Sequence, residues 1–235
     1  LTEAFFYALN YWSLVSSNNI ARERGETFHN FEHSDYANGT YFDRYIENPF
    51  VITDEKVKEI MKHVPLPTAE DWTALKEKIQ QDGIYHAYRH AIAPTGSISY
   101  VNETSASLHP ITRLIEERQE KKTGKTYYPA PQLSNETIDY YESAYDIDMR
   151  KVIDVYAAAQ RHIDQGMSLT LFMRSELPEG LYPWKRPGDR KMNTRDLNIL
   201  RNYAWNQGIK SIYYVRTFTD DGDEIGSNYC ESCSI

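Results

Sequence analysis

Twice in its second half the chain carries a helical segment past a glycine and into a short apolar strand, and this unit constrains the fold more than any other feature. Residues 149–164 read as a helix that runs through Gly166 into a strand at Ser168–Phe172, and residues 194–207 read as a helix followed by Gly208 and a strand at Ser211–Thr217. Helices alternating with short apolar strands indicate an α/β protein, each element burying its apolar face against the other kind.

The rest of the chain fits that class. Residues 2–24 place Phe5, Phe6, Leu9, Trp12, Leu14, Ile20 and Ala21 at mixed helical spacing, with Gly25 as the stop. The stretch to about residue 53 is rich in aromatics, Asn and Gly and reads as loops with short turns. Thr53-Asp54 caps a helix through His63, Thr68 caps another through Gln81, and Gly83 ends it. Residues 112–131 read as a hairpin around Lys122–Lys125, and residues 134–145 as a further helix. Residues 218–235 have the composition of a disordered acidic tail. No internal repeat or low-complexity linker is present.

Composition narrows the function. With 235 residues and 40% hydrophobic content the chain can form one large domain or two small ones with a sizeable core. No apolar run approaches the roughly 20 residues of a membrane helix, and no signal peptide precedes the first helix. A formal net charge of -8 argues against a broad nucleic-acid surface, so phosphate chemistry is expected only at a local site. Two cysteines without a disulfide framework fit a reducing cytoplasm. Beginning at Leu1 inside an amphipathic helix, the chain reads as the later part of a longer protein, whether split, spliced or cleaved.

Four short segments can carry chemistry. Both cysteines, Cys230 and Cys233, form a C-x-x-C pair at the extreme C-terminus. Two thiols at that spacing close a small disulfide after reducing another, which suits them to passing reducing equivalents onward. Half a zinc site or two idle surface cysteines are the alternatives. In Ala93-Pro94-Thr95-Gly96-Ser97-Ile98-Ser99, Gly96 permits close backbone approach, and the hydroxyls and amides of Thr95, Ser97 and Ser99 can cradle a phosphate. A plain strand-to-turn connection is the alternative, since the length and lysine of a P-loop are missing. Tyr213 and Tyr214 are adjacent in a strand expected to be buried. Their side chains point to opposite faces unless the strand bends there, and in a chain with 19 tyrosines core packing is the simpler reading. His162 and Asp164, near a helix end, suggest acid–base work, though a histidine there more often caps or packs.

In this order the segments A-P-T-G-S-I-S, R-H-I-D-Q-G-M-S-L-T-L, S-I-Y-Y-V-R-T and the terminal C-E-S-C, with the early stretch Ser17–Phe42, closely resemble the large catalytic subunit of class I ribonucleotide reductase, specifically the class Ib type. The resemblance covers essentially the whole chain and corresponds to the C-terminal third of that subunit. It implies a ten-stranded α/β barrel of two half-barrels, with residues 1–217 supplying much of the second half and 218–235 a flexible redox-active tail. It implies that Thr95, Gly96, Ser97, Ile98 and Ser99 bind the diphosphate of a ribonucleoside diphosphate. Tyr213 and Tyr214 would relay a radical from a small subunit that carries the dimetal–tyrosyl radical cofactor. Cys230 and Cys233 would re-reduce an active-site disulfide at the expense of a glutaredoxin- or thioredoxin-like reductant. The chain itself is expected to bind no metal or other cofactor, no membrane and no nucleic acid.

One departure is as informative as the match. The family's thiyl-forming cysteine, in an N-x-C-x-E loop, and the cysteine pair that reduces the ribose have no counterpart here, because the only cysteines are Cys230 and Cys233. The chain is therefore expected to be incomplete alone and to need an upstream fragment of the large subunit. A small dithiol carrier and a non-enzymatic nucleotide-binding assembly subunit remain as alternatives. The first lacks a thioredoxin-like βαβ context, and the second leaves the tail dithiol unexplained.

Overall fold

The computed structural model describes residues 1–120, 124–218 and 224–225. Its contacts divide the chain into two compact units, residues 1–91 with 161–165, and residues 92–160 with the described part of 166–235.

The first unit is helical. Helix α1 (Thr2–Arg24) ends where Gly25 adopts φ 66° and donates its N–H to the Ala21 carbonyl. Short α2 (Asp35–Asn38) and α3 (Thr40–Glu47) follow, joined at Gly39, whose φ of 85° disfavours any residue with a Cβ. Helix α4 (Glu55–Met61) is capped by the Asp54 carboxylate, and α5 (Ala69–Asp82) by a reciprocal box between Thr68 and Asp71. These features bear out the helices expected after Asp54 and Thr68. The stretch expected to be loops contains α3, whose buried Phe42 and Tyr45 lie three residues apart on one face.

Trp72 of α5 is the centre of this unit's core. Its ring stacks on Tyr45 at 4.1 Å and 10°, and its Nε1 donates to the Tyr7 hydroxyl at 2.7 Å. Tyr7 in turn donates to the Pro67 carbonyl at 3.1 Å. Large aromatics supply the buried area here, and the polar edges of Trp72 and Tyr7 are paired within it.

The second unit mixes helices and strands. Helix α6 (Gly96–Val101) precedes the antiparallel hairpin of β1 (Ile115–Glu120) and β2 (Gly124–Pro129), which falls where the sequence placed it. The helix expected over 134–145 is absent, and only a 3₁₀ turn at Ile138–Tyr140 forms. The hydroxyls of that segment explain the difference. Thr137 Oγ1 accepts from Ser134 N at 2.9 Å and donates to the Gln132 carbonyl at 2.8 Å, so local side-chain bonds replace the helical ladder.

Helix α7 (Met149–Gln160), strand β3 (Leu169–Arg174), helix α8 (Thr194–Asn206) and strand β4 (Ile212–Phe218) then give the α/β unit itself. β3 and β4 pair in parallel, and β5 (Glu224–Ile225) adds antiparallel to the far end of β4. β3 is buried on both faces, as its apolar run requires in a parallel pair. β4 corrects the expectation of a buried strand: Tyr213, Tyr214 and Val215 are 41%, 39% and 44% exposed. Among the described residues no sheet closes on itself. No helix among them is long and apolar enough to cross a membrane.

Candidate functional site

The start of β3 organises two of the four candidate segments. Residue by residue, Met167 pairs in parallel with Ile92, Ser168 N donates to the Ile92 carbonyl at 2.9 Å, Leu169 lies opposite Ile212, and Thr170 lies opposite Tyr214. One short stretch of backbone thus holds the approach to the Thr95 loop on one edge and the tyrosine strand on the other. Spacing in the sequence gives no sign of this, because the pairings join residues tens of positions apart.

Beyond Ile92 the chain turns at Thr95, which sits at φ 49° and ψ 28°. A β-branched residue in the left-handed region is strained, and such strain persists only where the surroundings over-determine it. Gly96 opens α6 without a positive φ, so the unusual conformation lies one residue earlier than the glycine suggests. Its value is space: nothing lies within 4 Å of where a Cβ would stand, so a ligand can approach the backbone. Thr95, Ser97 and Ile98 are exposed and Gly96 is partly so. Ser99 is buried, and its hydroxyl donates to the Gly96 carbonyl at 2.8 Å, which braces the turn from inside.

At the tyrosine doublet the register slips. Leu169 faces Ile212 and the next residue, Thr170, faces Tyr214, so Tyr213 is an extra residue on β4. A bulge of this kind breaks the alternation that sends adjacent side chains to opposite faces. The rings of Tyr213 and Tyr214 come together at 4.1 Å between centroids, tilted by 55°. The guanidinium of Arg216 lies 5.7 Å from the Tyr214 ring centre. The two phenols thus lie side by side on a half-exposed strand.

His162 and Asp164 belong to the helical unit and take structural roles. Asp164 accepts from the backbone N–H groups of Arg89 at 2.8 Å and His90 at 2.9 Å, clamping that turn. The buried Arg89 guanidinium bonds Asn10, Ser13, Tyr36 and Tyr41. His162 is buried with its Nδ1 3.2 Å from the Tyr45 hydroxyl, its ring edge-on to Tyr7, and no partner for Nε2. Burial, with Arg44 and Arg161 adding repulsion, pulls its pKa down to about 4.

A pH dependence of stability follows. The unfolded chain protonates His162 near the ordinary value of 6.5 and the folded chain near about 4, so the unfolded state binds more protons between those values. Stability is expected to fall by about 3 kcal/mol as pH drops from about 6.5 to about 4. Urea unfolding across that window checks it. In His162→Gln this component should vanish, and an unchanged profile would mean that His162 is accessible to protons when folded.

Cys230 and Cys233 lie outside the described residues. The family model "Ribonucleotide reductase, barrel domain" matches residues 1–215. The ribonucleoside-diphosphate reductase subunit alpha of Bacillus subtilis strain 168 is 44% identical over 98% of this chain and 30% of its own length. The protein of the same name from Mycoplasma genitalium is 39% identical over 100% of the chain and 32% of its own length. A ribonucleoside-diphosphate reductase alpha subunit of Bacillus phage SPbeta is 45% identical over 98% of the chain and 19% of its own length. The chain thus spans about a third or less of the length of these relatives, and it belongs to the ribonucleotide reductase barrel-domain family.

Proposed function

We propose that this member of the ribonucleotide reductase barrel-domain family is the C-terminal portion of a class Ib ribonucleoside-diphosphate reductase large subunit. It acts with a polypeptide that supplies the rest of a ten-stranded barrel and with a small radical-generating subunit. The net chemistry removes one ribose hydroxyl as water and takes two electrons from a dithiol, which leaves as a disulfide. In this division of labour Thr95–Ser99 hold the substrate diphosphate. Tyr213 and Tyr214 pass one electron and one proton at a time between the small subunit and a cysteine on the complementing polypeptide. Cys230 and Cys233 return reducing equivalents from a glutaredoxin- or thioredoxin-like protein. The metal that generates the radical belongs to the small subunit.

The observation that carries this reading is the tyrosine contact. A bulge that brings two adjacent phenols to 4.1 Å does nothing for a core, because the strand is half exposed. It does serve a relay that needs ring contact. The exposed run Tyr213–Val215 also supports a covering partner, since contiguous apolar surface of this kind marks interaction sites.

Complementation tests the proposal. These 235 residues alone are expected to reduce no cytidine diphosphate. Adding the polypeptide with the remainder of the barrel, the small subunit and a dithiol reductant should yield deoxycytidine diphosphate. Turnover by the isolated chain, or none by the full mixture, would refute the assignment.

A further inference from the structure

Ser107 touches the Thr95 loop from a position twelve residues downstream. Its backbone N–H donates to Thr95 Oγ1 at 2.9 Å. A hydroxyl has one proton to give and two lone pairs to receive with. Occupation of a lone pair from the protein side leaves the Thr95 proton to be given elsewhere, and among the described residues no acceptor takes it. Thr95 is exposed, so that proton is directed to the solvent side of the loop.

Ser107 can hold this N–H in place only because it is itself anchored. Its φ of 55° is unfavourable for any residue but glycine. Its hydroxyl lies 3.0 Å from Ser168 Oγ and 3.5 Å from the Pro94 carbonyl. Ser168 is buried immediately before β3, its N–H bonded to Ile92 and its carbonyl accepting from the buried Tyr156 hydroxyl at 3.3 Å. Tyr156 also accepts from Leu108 N at 3.3 Å, which fixes the residue after Ser107. A continuous series of bonds therefore runs from the interior of the second unit to one exposed hydroxyl.

We propose that Ser107 and Ser168 are positioning residues that commit the Thr95 hydroxyl to donate to an anionic phosphate oxygen. This rests on the reading of Thr95–Ser99 as the diphosphate site. Neither serine touches the ligand in this scheme. Both act through Thr95, by fixing which way its single proton points.

The test uses the assembled enzyme and cytidine diphosphate, with inorganic pyrophosphate as a probe lacking the nucleoside. Ser107→Gly removes the hydroxyl anchor and releases the strained backbone, while Ser168→Ala cuts the same link from the other end. Each is expected to weaken cytidine diphosphate binding about fivefold, the scale of one hydrogen bond. KM should rise by the same factor with kcat unchanged, because binding is lost equally from ground and transition states. The double variant should be no worse than either single one, and neither serine change should add to Thr95→Ala. Pyrophosphate should show the same pattern. If Thr95→Ala leaves both affinities unchanged, the diphosphate reading itself fails. If Thr95→Ala weakens binding but the serine variants do not, or their losses add in full to it, the positioning role is wrong and the diphosphate site stands. Should Ser107→Gly fail to fold, Ser168→Ala, which leaves the backbone of the loop untouched, decides the matter alone.

Discussion

Replacement of either Tyr213 or Tyr214 by Phe is expected to abolish turnover of the assembled enzyme while leaving substrate affinity and folding nearly intact. Phenylalanine keeps the ring contact at 4.1 Å and the apolar surface of β4, so packing is conserved. The stability cost is at most that of one hydrogen bond, about 1 kcal/mol. What is lost is the phenolic O–H, without which the ring can neither release a proton nor be oxidised at an accessible potential. The expected result is thus an enzyme that melts normally, binds cytidine diphosphate normally and makes no product. The control is the bulge: a structure of each variant should retain the slip between Leu169 and Thr170. Substantial activity in a correctly assembled variant would remove that tyrosine from the relay. Loss of activity together with loss of the small subunit's binding would move the residue from the relay to the interface.

The sequence made some of this legible and hid the rest for definite reasons. Helices stop where Gly25 and Gly83 are, and start where Asp54 and Thr68 put a side-chain acceptor over the first turn. Those signals are local, so the sequence carries them openly. The order helix, glycine, strand likewise led to the β3–β4 pair. The failures are those of non-local or competing interactions. The helix expected at 134–145 has an apolar pattern, but Thr137 and Ser134 offer the backbone alternative partners. Helix α3 was hidden because its first residues lie among Asn and Gly, and its stability comes from Phe42 and Tyr45 reaching Trp72.

The candidate site divides the same way. Gly96 marks the loop in the sequence, yet the residue with the positive φ is Thr95, whose hydroxyl accepts from Ser107 N–H twelve residues on, a contact that composition does not reveal. The tyrosine doublet is visible, but alternation along a strand argues against contact between neighbours. Only the register slip reverses that, and a slip depends on the partner strand. His162 and Asp164, chemically suggestive as a pair, prove to serve Tyr45 and the Arg89–His90 backbone.

The second large effect is expected at the C-terminal dithiol. In the assembled enzyme, Cys230→Ser with Cys233→Ser should preserve substrate binding and one turnover from pre-reduced protein, then stop when only a protein dithiol is supplied. The argument is one of reach and access. Cys233 comes fifteen residues after Phe218, and a chain of that length at roughly 3.3–3.6 Å per residue can reach at most on the order of 50 Å. The pairing of Glu224 and Ile225 with β4 shortens this, because eight residues from Ile225 extend at most about 29 Å. Under the proposed division of labour, a protein reductant too bulky to enter the barrel needs the tail to carry electrons inward, by thiol–disulfide exchange at each end. A small dithiol does not, and it should partly restore multiple turnovers in the double variant. Full multiple turnover with the protein reductant would mean that these cysteines are not the shuttle. Loss of even the first turnover would assign them a structural role instead. A variant that destabilises the β5 pairing, such as Ile225→Pro, which removes a backbone donor, should leave the first turnover unchanged and alter only the rate of those that follow, since it changes the length of the tether and not its chemistry.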